Sequence, residues 1–322
     1  MKIGIIGTGS IARTVAPTLA AMERADTFAV ASRTKEKAED FCREFGFRQA
    51  YGSYEEMLDS GEVELAYIAS PHSHHLEHML MCIERGVPVL CEKAFTINSP
   101  HAKKAVKAAR DRGVFVAEAI WTRYMPSRSL VDSMLGSGVI GQPRALSANL
   151  CYPVSHRERV REPALAGGAL LDVGIYGLNF MLMCFGWDID RIESSVQMLP
   201  TGVDGMENIT VYYSDGRLAQ ITGGITCRSD RRGVIWGEEG YITVDNINNP
   251  SAVSAWDTDD RLIRRAEVPV QISGYEYEFD ECVKAVEEGK TQCASMPLAE
   301  TVRVMELMDS IRAPWGLVYP GE

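Results

Sequence analysis

Four stretches of this sequence carry residues whose types and spacing could do chemistry. In MKIGIIGTGSIA, Gly7-x-Gly9-x-x-Ala12 follows an apolar strand and opens a helix. Gly7 permits a tight turn, Gly9 lets backbone approach a pyrophosphate, and Ala12 allows close helix–strand packing. The backbone from Gly7 through Thr8, Gly9, Ser10, Ile11 and Ala12 would hold an anion with amides and the helix dipole. The second strand ends in AVASRT, placing Ser32 and Arg33 where an acid usually grips the ribose hydroxyls of NAD. A hydroxyl and a guanidinium suit a 2′-phosphate, so the pair predicts NADP(H) in preference to NAD(H). A solvated Arg33 is the alternative.

The second stretch is SPHSHHLEHML, residues 70–80, which holds four of the six histidines: His72, His74, His75 and His78. His74 and His78 are four apart and could share a helical face as metal ligands do. No HExxH motif and no nearby cysteine or aspartate completes a set, so we expect no metal. The segment follows a strand at the carboxyl edge of the sheet, where open α/β folds bind ligands. It therefore predicts a cofactor-lining loop of Ser70, Pro71, His72 and His75, with some imidazoles simply exposed.

The third stretch, VPVLCEKAF, ends an apolar strand with Glu92 and Lys93 at the same edge. The lysine either serves the crevice or snorkels to water. The fourth, AGGALLDVGIYGLNFML, carries Asp172 and, four residues later, Tyr176 on an otherwise apolar helix. Spacing of four puts an acid and a phenol on one face, where both need partners. They are either a proton-transfer pair or a structural hydrogen-bond pair.

These groups need elements to position them. The first 120 residues alternate apolar strands (Lys2–Ile6, Phe28–Ser32, Leu65–Ser70, Pro88–Glu92, Val114–Glu118) with helical stretches (Ile11–Met22, Lys35–Phe45, Tyr54–Ser60, Leu76–Arg85, Ala102–Arg112). That alternation predicts an α/β Rossmann domain with a parallel sheet over residues 1–120. A helix over Arg128–Leu135 and another after Asp172 follow. Strands are then expected at Arg144–Tyr152, Arg191–Leu199, Asn208–Tyr213, Arg217–Cys227, Arg232–Gly237, Tyr241–Asn246 and Arg261–Val268. Asp215-Gly216 and Glu239-Gly240 signal hairpins. Helices at Glu276–Glu288 and Leu298–Arg312 close the chain. Residues 121–322 thus predict an α+β domain with an open, mostly antiparallel sheet, which the resemblance given below implies serves substrate binding and oligomerisation.

The bulk numbers exclude several classes. At 322 residues the chain is long enough for two domains. A formal charge of −11 repels phosphate backbones, so nucleic acid is not an expected partner. No apolar run approaches the ~20 residues that span a bilayer, so no membrane partner is expected. Eight cysteines are scattered without a CxxC pair, and Met1-Lys2 leads straight into the first strand. Both predict a cytoplasmic protein.

Taken together, the glycine turn, the SPxxxH loop, the Glu92-Lys93 step and GGALLDVGIY resemble the Gfo/Idh/MocA family of NAD(P)-dependent oxidoreductases, in order and spacing, over essentially the whole chain. AEAIWTRYMP, GGALLDVGIY, TGVD and GYEYEFDECV look most like its dimeric dihydrodiol dehydrogenase and NADP-dependent D-xylose 1-dehydrogenase group. The resemblance implies that Lys93 matches the lysine of the EKP motif, Asp172 and Tyr176 the DxGxH/Y motif, and His75 the histidine of the TPxxxH loop. Ala94 replaces the motif's proline, whose ring would fix φ.

The implied chemistry is hydride transfer between NADP(H) and a hydroxyl-bearing or carbonyl carbon of a sugar or cyclic diol. A tyrosine takes the hydroxyl proton only if its pKa falls from about 10, and a nearby ammonium favours the phenolate. This makes Tyr176 the general acid/base, Lys93 its electrostatic activator, and Asp172 the group that orients the substrate hydroxyl or the lysine. Trp121, Arg123, Tyr152 and His156 are candidate substrate contacts, with a core or interface role the alternative for Trp121. The competing readings are a non-catalytic NADP(H) sensor or scaffold, and a keto-sugar reductase of the anhydrofructose type. A homodimer, or a higher homo-oligomer, would cover the open sheet.

Overall fold

A computed structural model describes all 322 residues. Along the chain run β1 (Lys2–Ile6), α1 (Ser10–Ala21), β2 (Asp26–Ala31), α2 (Lys35–Phe45), β3 (Gln49–Tyr51), α3 (Tyr54–Asp59), β4 (Leu65–Ile68), α4 (His75–Glu84), β5 (Val89–Glu92), α5 (Ser99–Arg112) and β6 (Val116–Ala119). There follow α6 (Pro126–Gly136), β7 (Pro143–Cys151), α7 (Glu158–Arg161), α8 (Ile175–Phe185), β8 (Ile189–Met198), β9 (Asp204–Tyr213), β10 (Leu218–Gly224), β11 (Gly233–Gly237), β12 (Gly240–Val244), β13 (Ala252–Asp257), β14 (Leu262–Glu267), α9 (Glu276–Glu287) and α10 (Leu298–Arg312).

Two units emerge: Met1–Tyr124 with Gln271–Met305, and Met125–Val270 with Glu306–Glu322. The single boundary expected at residue 120 misses the return of residues 271–305 to the first unit. The cause is α9, whose buried face carries Phe279, Cys282 and Val283, and whose Phe279 ring packs edge-on against Tyr67 of β4 at 5.1 Å.

The first unit holds a six-stranded parallel sheet in the order β3-β2-β1-β4-β5-β6. The three-residue β3 was not visible in the sequence, being too short to show a period. Ile3, Ile5 and Ile6 of β1 have no exposed surface, each contributing about 1.5–3 kcal/mol by burial. The order reverses at β1, so β1 and β4 flank the crevice at their carboxyl ends.

The second unit holds an eight-stranded sheet, β14-β13-β12-β11-β7-β10-β9-β8. All its pairs are antiparallel except β7 with β10. β13 also escaped the sequence reading, because three of its first four residues are small and the stretch lacks clear alternation. The helical stretch Pro163–Phe185 is, contrary to expectation, long and apolar enough to cross a membrane by length and composition. Its most apolar window is 89% buried in the protein, as a core helix is.

Candidate active site

The glycine turn has the geometry its sequence implies. Gly7 sits at φ 103°, and its amide donates to Ala31 O at 3.0 Å. A Cβ at Gly7 would stand 3.2 Å from Ala69 O, and one at Gly9 3.7 Å from the same oxygen. Gly9 precedes α1 without side-chain capping, and the first backbone bond of the helix is Arg13 N to Gly9 O at 3.1 Å. The amides of the first turn therefore face outward, beside half-buried Thr8 and Ile11 and exposed Ser10, while Ala12 is buried under the helix. Ser32 is buried, 3.4 Å from the Thr8 hydroxyl, and Arg33 is exposed. These residues fit a dinucleotide: an open amide cradle no side chain fills, with a hydroxyl and a guanidinium at the end of β2.

The histidine loop is mostly structural. After Pro71 a short 3₁₀ turn, His72–His74, leads into α4. His75 departs from expectation: its side chain has no exposed surface. Its Nδ1 lies 2.8 Å from Ala94 O and its Nε2 2.9 Å from Ser70 O. The ring thus holds the loop after β4 to the segment after Lys93 and presents no face to a ligand. Burial pushes its pKa down to about 4, against the opposing pull of those carbonyls. His78 is also buried and lowered to about 4; it bonds Ser70 Oγ at 2.9 Å and packs edge-on against Tyr54. Of the four, only His74 is exposed. No group of three or more His, Cys, Asp or Glu is arranged to hold a metal.

Lys93 follows β5 and is half-buried. Its amide donates to Glu92 Oε2 at 3.2 Å, while Tyr67 Oη donates to Glu92 Oε1, so the glutamate pins the backbone from which the lysine projects. The Lys93–Ala94 peptide is cis.

Two expected substrate contacts have other engagements in the structure. Arg123 is 2% exposed and pairs with Glu300 at 2.8 Å. Trp121 is buried and stacks on Tyr275, centroids 4.1 Å apart and planes 11° from parallel. A guanidinium and an indole arranged this way tie the chain after β6 to the returning C-terminal segment. Tyr152 and His156 remain accessible, half-buried and exposed.

In the second unit, Asp172 lies in a π-helical turn, Leu170–Gly174, and Tyr176 in the first turn of α8. The regular α-helical spacing expected between them is replaced by this wider turn, a form frequent at functional sites. Asp204 fixes its start, accepting from Leu170 N at 2.5 Å. Gly174 ends it, its missing Cβ leaving room for the Glu207 carboxyl. Asp172 is buried and accepts from Arg159 of α7 at 2.7 and 3.4 Å. Sequence reasoning missed Arg159, Asp204 and Glu207. The last two lie in TGVDGMEN, whose two acids in a strand that buries them were the available signal.

This combination of a dinucleotide fold, a lysine at the sheet edge and an aspartate–tyrosine turn defines an oxidoreductase. The description "Oxidoreductase family, NAD-binding Rossmann fold" matches residues 1–119, and a Gfo/Idh/MocA C-terminal domain matches residues 129–243. The chain belongs to the Gfo/Idh/MocA oxidoreductase family. It is 30% identical to trans-1,2-dihydrobenzene-1,2-diol dehydrogenase of Mus musculus, covering 99% of this chain and 98% of that one, and 31% identical to the Danio rerio enzyme of that name, with the same coverage. A solved 3-ketoreductase from Actinomadura kijaniata, in complex with NADP and TDP-benzene, is similar at TM-score 0.90 and 25% identity over 97% of both chains. An aldose-aldose oxidoreductase from Caulobacter crescentus shares the fold at TM-score 0.87 and 20% identity over 99% of both.

Proposed function

We propose that this protein is a cytoplasmic, NADP-preferring oxidoreductase acting on a hydroxyl-bearing carbon of a sugar or cyclic diol. The observation that carries the reading is the Asp172–Tyr176 turn. A buried carboxylate held by Arg159 and a phenol one turn on are built into an apolar helix, a costly placement unless used.

NADP(H), when bound, supplies or accepts the hydride. Residues Gly7 to Ala12 would hold its pyrophosphate, Ser32 and Arg33 its 2′-phosphate, and Ser70, Pro71 and His72 would line its loop, with Glu92 steadying Lys93. Tyr176 exchanges the substrate hydroxyl proton at its Oη. Asp172 accepts from a substrate hydroxyl and so orients it. Lys93 contributes the positive charge that favours a phenolate over a phenol. Tyr152 and His156, with Trp121 and Arg123, are the proposed substrate contacts.

The names of the relatives support this substrate class, since they act on a cyclic diol or are sugar-active. The 3-ketoreductase likeness favours a second reading, the reduction of a keto-sugar with the same residues run in reverse. Eight cysteines, none of them in a disulfide, support the cytoplasmic placement, which fractionation of the source cell would test.

The experiment is NADPH absorbance with NADP⁺ and D-xylose or a cyclic trans-diol supplied to the purified protein. Steady NADPH production is expected. Oxidation of NADPH with keto-sugars alone would favour the reductive reading, and turnover in neither direction would overturn both. Tyr176→Phe should cut turnover roughly 10²–10⁴-fold while NADPH still binds; near wild-type turnover would remove Tyr176 from the mechanism.

A further inference from the structure

Two loops of the second unit carry a concentration of positive charge at odds with the chain's formal −11. Residues 156–161 read HRERVR and residues 228–232 read RSDRR. Both emerge from the same edge, because β7 and β10 run parallel with Cys151 opposite Gly224. The loops are tied together: Val154 N and Ser155 N both donate to Ile225 O at 2.9 Å, and Ser229 Oγ accepts from Cys151 N at 3.0 Å. The turn bearing Asp172 sits at this same end of β10, since a Cβ at Gly223 would stand 3.1 Å from Gly174 Cα.

The arginines divide by what they face. Arg159 is committed to Asp172, and Arg161 pairs with Glu162 at 3.1 Å. Asp230 is occupied by Asn149 Nδ2 at 2.8 Å and the Arg232 amide at 3.2 Å. No carboxylate lies within 4.0 Å of the Arg228 or Arg231 guanidinium. Arg228 is exposed. Arg231 is held: its backbone sits at φ 62°, its amide donates to Asn149 Oδ1 at 2.9 Å, and its carbonyl accepts from Ile247 N at 2.8 Å. Few residues other than glycine adopt that φ, so the loop spends backbone energy to aim this side chain. The guanidinium lies over the Tyr152 ring, 5.9 Å from its centroid, and its Nε is buried without a partner. Asn248 Nδ2 donates to Tyr152 Oη at 3.3 Å. A solvated arginine satisfies its donors with water; a buried Nε beside a fixed tyrosine awaits an acceptor.

We propose that Arg231, with Arg228 and Tyr152, forms an anion subsite beside the Asp172–Tyr176 turn, so that the substrate carries a phosphate or carboxylate away from the reacting carbon. This rests on the sugar or diol reading and narrows it. A guanidinium fork matches either group with two parallel hydrogen bonds, and the tyrosine face supports it from below. The neutral part of the substrate then reaches Asp172 and Tyr176 with its orientation fixed by the distant charge.

The test compares efficiencies, with NADP⁺ saturating, on D-glucose, D-glucose 6-phosphate and D-glucuronate. At least one charged sugar should exceed D-glucose by about tenfold or more, in KM rather than kcat, with the advantage shrinking as salt is added. Arg231→Gln should lower the charged-to-neutral ratio by about tenfold, and exposed Arg228→Gln, which threatens folding less, should lower it by a smaller factor. The phosphate and carboxylate arms separate the two sources of charge. Neutral sugar turned over as well as both charged ones, or a ratio that neither variant moves, overturns the subsite and leaves the oxidoreductase reading standing. If none of these three sugars turns over, the oxidoreductase reading rests on its own experiment, and calorimetric titration of the NADP⁺-loaded protein with D-glucose 6-phosphate decides the subsite alone: binding weakened by Arg231→Gln upholds it, and no binding overturns it.

Discussion

Arg159 donates to both carboxylate oxygens of Asp172, at 2.7 and 3.4 Å. The aspartate side chain is 7% exposed and the arginine's 39%, so the pair is a buried anion closed by a cation that water still reaches. Removing the cation takes the guanidinium's charge and two hydrogen bonds from the buried anion, and the cost is tempered by the arginine's exposure. Arg159→Ala should cost about 1 kcal/mol of stability, and adding Asp172→Asn should return part of it. Urea titrations of the single and double variants measure the coupling. Equal midpoints for Arg159→Ala and the wild type would show the contact contributes nothing.

The proposed preference for NADP(H) rests on Arg33. Ser32 is buried against Thr8, Arg33 is exposed just after β2, and no acid stands among residues 32–34. NADP⁺ should have the lower Michaelis constant, and Arg33→Ala should reduce the NADP⁺-to-NAD⁺ efficiency ratio about 10–100-fold by removing a charge-assisted contact to phosphate. A wild-type preference for NAD⁺ would refute the assignment.

Glu207 lies against Gly174 of the Asp172–Tyr176 turn with both carboxyl oxygens buried and unpartnered. Burial, and then the charge of Asp204, hold its pKa well above the ordinary carboxylate range. Asp204 itself is pushed up to about 6 by burial, against the amides it accepts from. The sign follows from proton counting: above about pH 4.3 the unfolded chain releases the Glu207 proton and the folded chain keeps it, so stability falls as pH rises, by up to about 1.4 kcal/mol per pH unit. Gln cannot ionise. Glu207→Gln should match the wild type near pH 5 and gain on it progressively toward pH 8 in thermal melts. A difference that does not change with pH would mean Glu207 is ionised in the fold.

Much of this was legible in the sequence because local chemistry dictated it. The glycine turn needs Gly7 at positive φ, and the apolar β-strands of the first unit announce a sheet covered on both faces. The 1–120 sheet was read strand by strand except for β3. What escaped depends on distant pairing. Nothing local to Arg123 or Trp121 shows that Glu300 and Tyr275, far along the chain, will engage them. His75 matched a motif, but a motif does not reveal that both ring nitrogens will face carbonyl oxygens. Arg159 lies thirteen residues before Asp172 with no helical period to join them. Alternation showed that β11 and β12 form a hairpin, but only the register shows which side chains line up across the outer face.

That face carries the last prediction. Reading the registers across the second sheet, Leu262, Trp256, Tyr241, Trp236, Ala145, Leu218 and Tyr212 stand opposite one another in a single row. Tyr241 and Trp256 stack with planes 13° apart, while Trp236 is 40% and Leu262 50% exposed. A continuous row of aromatic and aliphatic side chains across seven strands is the kind of patch that a partner covers. A second copy can pair the same row with itself about a two-fold axis, giving an isologous dimer. Sedimentation should therefore show a dimer at micromolar concentration. Trp236→Arg, which places an unpaired charge at the centre of the row, should yield a monomer with unchanged far-ultraviolet dichroism. A wild type that sediments as a monomer, or a Trp236→Arg dimer of undiminished affinity, would place the interface elsewhere.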